Sequence, residues 1–122
     1  MNRVSVGKVW EKRVADHLAD RGYTILELNF RFHSKEIDII AGKDDLVIFV
    51  EVKYRRDGSF GSGLDAVTAR KRTNIQLTAM HYIDKNRLYD CNVRFDVATV
   101  EHDKLLYIED AFQFKSRPSW RV

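Results

Sequence analysis

Three carboxylates and a lysine stand inside β-rich apolar runs: Glu36-Ile37-Asp38-Ile39-Ile40 and, after the short stretch Gly42 to Asp45, Val47-Ile48-Phe49-Val50-Glu51-Val52-Lys53. Desolvating a carboxylate is costly, so acids at such places suggest a working site. A hairpin makes the arrangement checkable. With Gly42, Lys43, Asp44 and Asp45 as a four-residue loop, Ala41 pairs with Leu46, Ile40 with Val47, Asp38 with Phe49 and Glu36 with Glu51. Alternation then places Glu36, Asp38, Phe49, Glu51 and Lys53 on one face. Ile37, Ile39, Ile48, Val50 and Val52 form the other face, which must lie against a core. Asp38 and Glu51 become diagonal neighbours roughly 7 Å apart at their backbones, a separation at which two carboxylates can share a metal. A one-residue slip would send them to opposite faces.

Phosphodiester hydrolysis needs charge stabilisation on the phosphoryl oxygens, an activated water and help for the leaving oxygen, all of which bound Mg²⁺ or Mn²⁺ can supply. Mg²⁺ takes oxygen ligands, commonly one or two carboxylates with several waters. Asp38 and Glu51 meet that requirement, with the carbonyl of Val52 nearby. Lys53, on the same face, can set an ammonium beside the attacking water or the phosphate. Glu36, opposite Glu51 in this register, suffers like-charge repulsion unless a cation or a proton intervenes, which makes it a further candidate ligand.

The elements that must position these groups follow from periodicity. Val6, Trp10, Val14 and Leu18 recur at helical spacing and Gly22 stands at a C-cap, which predicts a helix over residues 4 to 21. Glu11 shares a face with the apolar stripe, so it either pairs with a nearby Lys or Arg at the stripe edge or turns toward what the core presents, as a further metal ligand would. Tyr23 to Leu28 reads as a strand and Asn29 to Lys35 as a polar loop. Tyr54 to Gly63 is a glycine- and serine-marked loop. Thr68 caps a second helix reaching about Asp84, with Arg72, Ile75, Ala79, Tyr82 and Ile83 inward. Lys71 falls in its first turn, where a cation opposes the helix dipole; it is either a tolerated surface lysine or a phosphate contact. Val93 to Val100 and Lys104 to Ile108 are strands joined through Glu101-His102-Asp103. Helix, three strands, helix, two strands predicts an α/β layered fold with a mixed central sheet, whose central strand runs from Leu46 to Val52 and turns polar only at its end. Open α/β sheets place ligands at that end.

At 122 residues, 44% hydrophobic and 32% charged, the chain suits one domain over residues 1–122, with 115–122 as a mobile basic tail. Cys91 is the only cysteine, so an internal disulfide is impossible, and a cytoplasmic location with no membrane association is expected. The longest apolar run, Leu46 to Val50, is far too short to span a bilayer. The net charge of +3 is modest, but Lys53, Arg55, Arg56, Arg70, Lys71 and Arg72 face only Asp57 and Asp65 along that stretch. Acids beside such a basic segment suit a phosphate substrate, with Arg55, Arg56 and Lys71 as nucleic-acid contacts.

Asp38, thirteen residues before Glu51-Val52-Lys53, resembles the metal-binding signature of the PD-(D/E)XK nuclease superfamily in its Holliday junction resolvase branch. More closely, Gly7, Glu11, Asn29, Glu36-Ile37-Asp38-Ile39-Ile40, Phe49-Val50-Glu51-Val52-Lys53, Arg55, Phe60-Gly61, Ala66-Val67-Thr68, Lys71, Tyr82 and Arg94-Phe95-Asp96-Val97 resemble the bacterial YraN-type proteins up to about residue 110. Trp10, Ser34-Lys35 and Ile37 depart from the pattern expected around the site. The resemblance implies a three-layer restriction-endonuclease-like fold, Asp38, Glu51 and Lys53 as catalytic residues, and Glu11 where resolvases carry another acidic ligand. It also implies Mg²⁺ or Mn²⁺, DNA as partner and a homodimer that presents two sites to two strands. A non-catalytic module that binds nucleic acid or a protein partner, and a structural salt-bridge cluster, are the competing readings.

Overall fold

The computed structural model describes residues 6–55 and 67–113, the side chain of Arg55 excepted. Arg56, most of the expected 54–63 loop and the 115–122 tail lie outside them.

Helix α1 (Val6–Asp20) buries Trp10, Val14, Ala15 and Leu18. Val6, expected on that stripe, is exposed instead. The helix stops at Gly22: the N–H of Tyr23 reaches the carbonyl of Leu18 at 3.1 Å and that of Gly22 reaches Ala19 at 3.0 Å, with Gly22 at φ +92°. This paired closure needs a left-handed residue, which glycine supplies without steric cost. Gly22→Ala is expected to lower stability by about 1 kcal/mol, read as a lower denaturant midpoint with unchanged slope.

Three strands follow, β1 (Thr24–Phe32), β2 (Lys35–Lys43) and β3 (Leu46–Arg55), then α2 (Ala69–Lys85), β4 (Asn92–Glu101) and β5 (Lys104–Phe112). They form a mixed five-stranded sheet in the order β1-β2-β3-β4-β5, antiparallel except for the parallel β3–β4 pair. The element order is the expected one. Parallel pairing of β3 with β4 requires a crossover, and α2 lies in that connection. Thr68 caps α2 as expected, its Oγ1 accepting the N–H of Lys71 at 3.2 Å.

The helices cover opposite faces. Val14, Ala15 and Leu18 of α1 pack with Ile39, Ala41, Ile48, Val50 and Ala98. Ile75, Ala79, Tyr82 and Ile83 of α2 pack with Ile37, Ile40, Val47, Phe49, Phe95 and Val97. With helix on both sides, the middle of β3 is apolar all round, and only beyond Val50 does it admit a charge. Among the described residues no helix is long and apolar enough to cross a membrane.

Several expectations require correction. Asn29 to Phe32 belongs to β1 rather than to a loop, because Phe30 and Phe32 alternate onto the α2 face and meet Tyr82 and His81. Strand β5 runs on to Phe112, whose ring stacks on Phe95 at 5.0 Å. Both outer strands are irregular: β1 carries an extra residue between Ile25 and Glu27, and β5 carries the surplus where Phe95 and Val97 pair with Phe112 and Ile108. Each also holds a left-handed residue, Asn29 in β1 and Asp110 in β5.

The hairpin is tighter than expected as well. Lys43 pairs with Leu46, so Asp44 and Asp45 alone make the turn and the register moves by two residues. A displacement of two preserves side-chain parity. Carried one step beyond the Ile39–Val50 pair, this register sets Asp38 opposite Glu51 rather than diagonal to it.

Candidate active site

Beyond Ile39 and Val50 the β2–β3 ladder ends. There the Asp38 carboxylate accepts the backbone N–H of Val52 at 2.8 Å. The alternation of β2 breaks at the same point: Ile37 joins the α2 cluster while Ile39 stays with α1, so the expected single apolar face through Ile37 and Ile39 does not form. A side chain has taken a main-chain donor, and the strand leaves its regular course to allow it.

Glu51 is nearly sealed, at 4% exposure. Its Oε2 faces two ammonium groups, Lys71 at 3.5 Å and Lys53 at 3.9 Å, whereas its Oε1 is buried and finds no hydrogen-bond partner among the described residues. Burial, then the neighbouring charge of Glu51, pushes the Asp38 carboxyl up to about 8; the Val52 N–H opposes this and the charge of Glu11 adds to it. Glu51 is likewise pushed up by burial, and the two lysines only partly offset that. A carboxyl pair of this kind holds a proton near neutral pH that a cation could replace.

Glu36, expected opposite Glu51, is not there. The two-residue shift gives that place to Asp38, and Glu36 pairs across β1–β2 with Arg31, Oε2 to Nε at 3.6 Å. Glu11 does point inward, and its charge reaches Asp38, but its Oε1 accepts from Asn29 at 2.9 Å and from Lys8 at 3.4 Å. Among the described residues no group of three or more His, Cys, Asp or Glu is placed to hold a metal ion. Asp38 and Glu51 are the two acids brought together at this place, a number within what Mg²⁺ could use if water completed its shell. Glu51 and Asp38 share a side-chain hydrogen bond through one proton, and a cation fits the pair because it could take that proton's place between two buried acids.

Residues 10–100 match a family described as "Uncharacterised protein family UPF0102". The chain belongs to the UPF0102 family. A UPF0102 protein of Sulfurihydrogenibium is 36% identical over 94% of this chain and 100% of its own length. One from Trichlorobacter lovleyi is 45% identical over 79% and 76%, and one from Clostridium perfringens 40% identical over 89% and 94%.

Two site residues of this UPF0102 protein carry roles that single-chain reading did not assign. Lys71, expected on nucleic acid, reaches Glu51 because the first turn of α2 opens over the end of β3. Asn29, placed in a loop by sequence, is a left-handed residue within β1 whose Nδ2 steers Glu11. Its signal was present: asparagine tolerates positive φ and carries a donor. Asn29→Ala, which removes the donor to Glu11 and puts a Cβ residue at positive φ, is expected to lower stability by about 1–2 kcal/mol, read as a lower denaturant midpoint. Arg55 contributes backbone to β3; its side chain lies outside the described residues, as does Arg56.

Proposed function

We propose that this UPF0102 protein is a divalent-metal-dependent nuclease hydrolysing phosphodiester bonds in DNA, with branched or otherwise structured DNA as substrate. The observation that carries the reading is the buried Asp38–Glu51 carboxyl pair, both acids raised by burial, with the Lys53 and Lys71 ammonium groups on Glu51. The ordered Asp38 and Glu51-Val52-Lys53 signature adds the PD-(D/E)XK resemblance.

In this reading Asp38 and Glu51 hold Mg²⁺ or Mn²⁺, with Glu11 as a nearby acid, and the ion when bound supplies charge to the phosphoryl oxygens and acidifies a water. The chain supplies the rest. The partly exposed Lys53 ammonium can swing from Glu51 to a phosphate oxygen once Glu51 has another counter-charge. Lys71 does the same from the helix side, steering a strand across the end of β3. The apolar walls of β3 keep bulk water from the acids, which strengthens every charge interaction there.

The test is a screen of linear, flapped and four-way DNA with Mg²⁺ or Mn²⁺, using the parent and Lys53→Ala. Cleavage of a branched substrate, reduced about a hundredfold or more in Lys53→Ala while Mn²⁺ still binds, is expected. Equal cleavage by both proteins removes Lys53 from the mechanism. A second reading has one observation in its favour: Lys53 and Lys71 already give Glu51 a counter-charge, as a binding module without turnover would use. That reading predicts salt-sensitive DNA binding and no product with any divalent ion.

A further inference from the structure

A chain of rings runs out of the core along the edge strand. Tyr82, buried and packed edge-on to Phe49 at 6.0 Å, holds Phe30 edge-on at 5.1 Å. Half-buried His81 lies between Phe30 and Phe32, stacked on Phe32 at 4.1 Å and 21°. Phe32 in turn meets the exposed ring of His33 at 4.4 Å. This fixes two half-exposed phenyl rings and two imidazoles at the free side of β1, although α2 has already found its core partners. Two cations border the rings: the Lys85 ammonium stands 5.9 Å from the Phe30 ring centre, and Lys35 is the cross-strand partner of Phe32, while the charge of Glu27 acts at the buried Tyr82 end.

We infer that the Phe30–His81–Phe32–His33 cluster is a stacking platform for an unpaired base of a DNA strand. Every base has a π-face, and aromatic rings bordered by cations hold single strands without reading their sequence. A paired base inside a duplex cannot offer that face. Helix α2 ties the platform to the acids: Lys71 in its first turn is on Glu51, and His81 lies ten residues further along, roughly 15 Å at helical rise. A strand lying over Lys71 thus reaches the rings within a few nucleotides, and the site selects DNA that is unpaired close to the bond to be cut. That the strand is DNA rests on the function proposed above.

The test uses the full chain in EDTA, so that no turnover occurs, with 2-aminopurine placed in a single strand, in the arm of a flapped duplex and in a blunt duplex. Quenching in the first two and not in the third is expected. Phe32→Ala should weaken single-strand and flap binding about tenfold and leave blunt-duplex binding unchanged, while Phe32→Trp retains the parent affinity. If the alanine variant does not fold, Phe32→Leu, which keeps bulk but not the ring, carries the same expectation. Equal parent affinity for paired and unpaired strands, tighter binding of RNA of the same sequence, or unaltered single-strand binding in Phe32→Leu would overturn the platform. Metal-dependent cleavage that persists without stacking sinks the platform alone; stacking with no cleavage of any substrate sinks the nuclease alone.

Discussion

At pH 9 the Asp38→Asn protein is expected to melt above the parent while losing divalent-ion binding and most cleavage. Asparagine keeps an oxygen for the Val52 N–H at 2.8 Å and removes the charge that burial penalises. The sign follows from linkage. Asp38 moves from an ordinary value of 3.8 to about 8 on folding, so its native state prefers the proton. That preference is harmless below about pH 4, where both states are protonated; the penalty grows between about pH 4 and 8 and stays constant above, where both states have lost the proton. The metal-free parent should lose stability over that interval, and the asparagine variant should lose much less of it. Glu51 gains too, because a negative neighbour has gone. A gain of about 2 kcal/mol at pH 9, or roughly 6–10 °C in melting temperature, is expected, against little difference at pH 5. Cleavage should fall about a thousandfold or more, since several kcal/mol of charge stabilisation are lost. Melting curves with and without Mn²⁺ decide the matter: added ion should raise the melting point of the parent at pH 9 and leave the variant where it was. A variant that melts no higher than the parent in EDTA would show that the acid pair is not under electrostatic load.

Asp96→Ala should go the other way, lowering stability by about 3–5 kcal/mol, a large part of what a domain of this size has. Asp96 is fully buried, yet every lone pair is used: Arg94 donates to both oxygens at 2.9 Å, Tyr107 donates at 2.5 Å and the N–H of Asp110 at 2.9 Å. Arg94 also donates to the Tyr23 hydroxyl at 3.2 Å, which draws the α1–β1 connection into the network. Those hydrogen bonds to Asp96 raise the pKa of Arg94, and burial followed by the charge of Asp96 raises that of Tyr107. Removing the acid strands a phenol and a backbone donor and leaves the Arg94 guanidinium with only Tyr23 and the exposed Glu109. Asp96→Asn, which keeps an acceptor, should lose less than the alanine variant. Denaturant titration of the two proteins ranks them directly; an alanine variant within about 1 kcal/mol of the parent would refute the account.

The contrast between these acids is what residue type cannot disclose. Both sit in strands, and each takes a backbone N–H where a ladder is irregular, at the end of β2–β3 for Asp38 and at the β4–β5 shift for Asp96. One is saturated with donors and the other lies against a second buried acid. Local features were legible: Thr68 as a cap, Gly22 as a stop and the element order each depend on a few consecutive residues. The acid pair survived an error of two positions in the turn because two is the strand's own side-chain period. The spacing of α2 puts Lys71 near the end of β3, but its pairing with Glu51, like Asn29 on Glu11 and Glu36 on Arg31, joins separate elements and depends on how they pack. The loop predicted at Asn29 failed for a related reason, since its backbone irregularity is local while the packing of Phe30 and Phe32 that makes it a strand is not.

The surplus residues and left-handed positions lie in the two outermost strands, and that governs how copies of the molecule can meet. Straight edges invite hydrogen bonding from a neighbouring chain and, by repetition, fibrous growth. Kinks at Asn29 and Asp110 put the free amides of those strands out of line with any incoming partner. Among the described residues both margins of the sheet are thus interrupted, which disfavours continuous sheet extension from one molecule to the next.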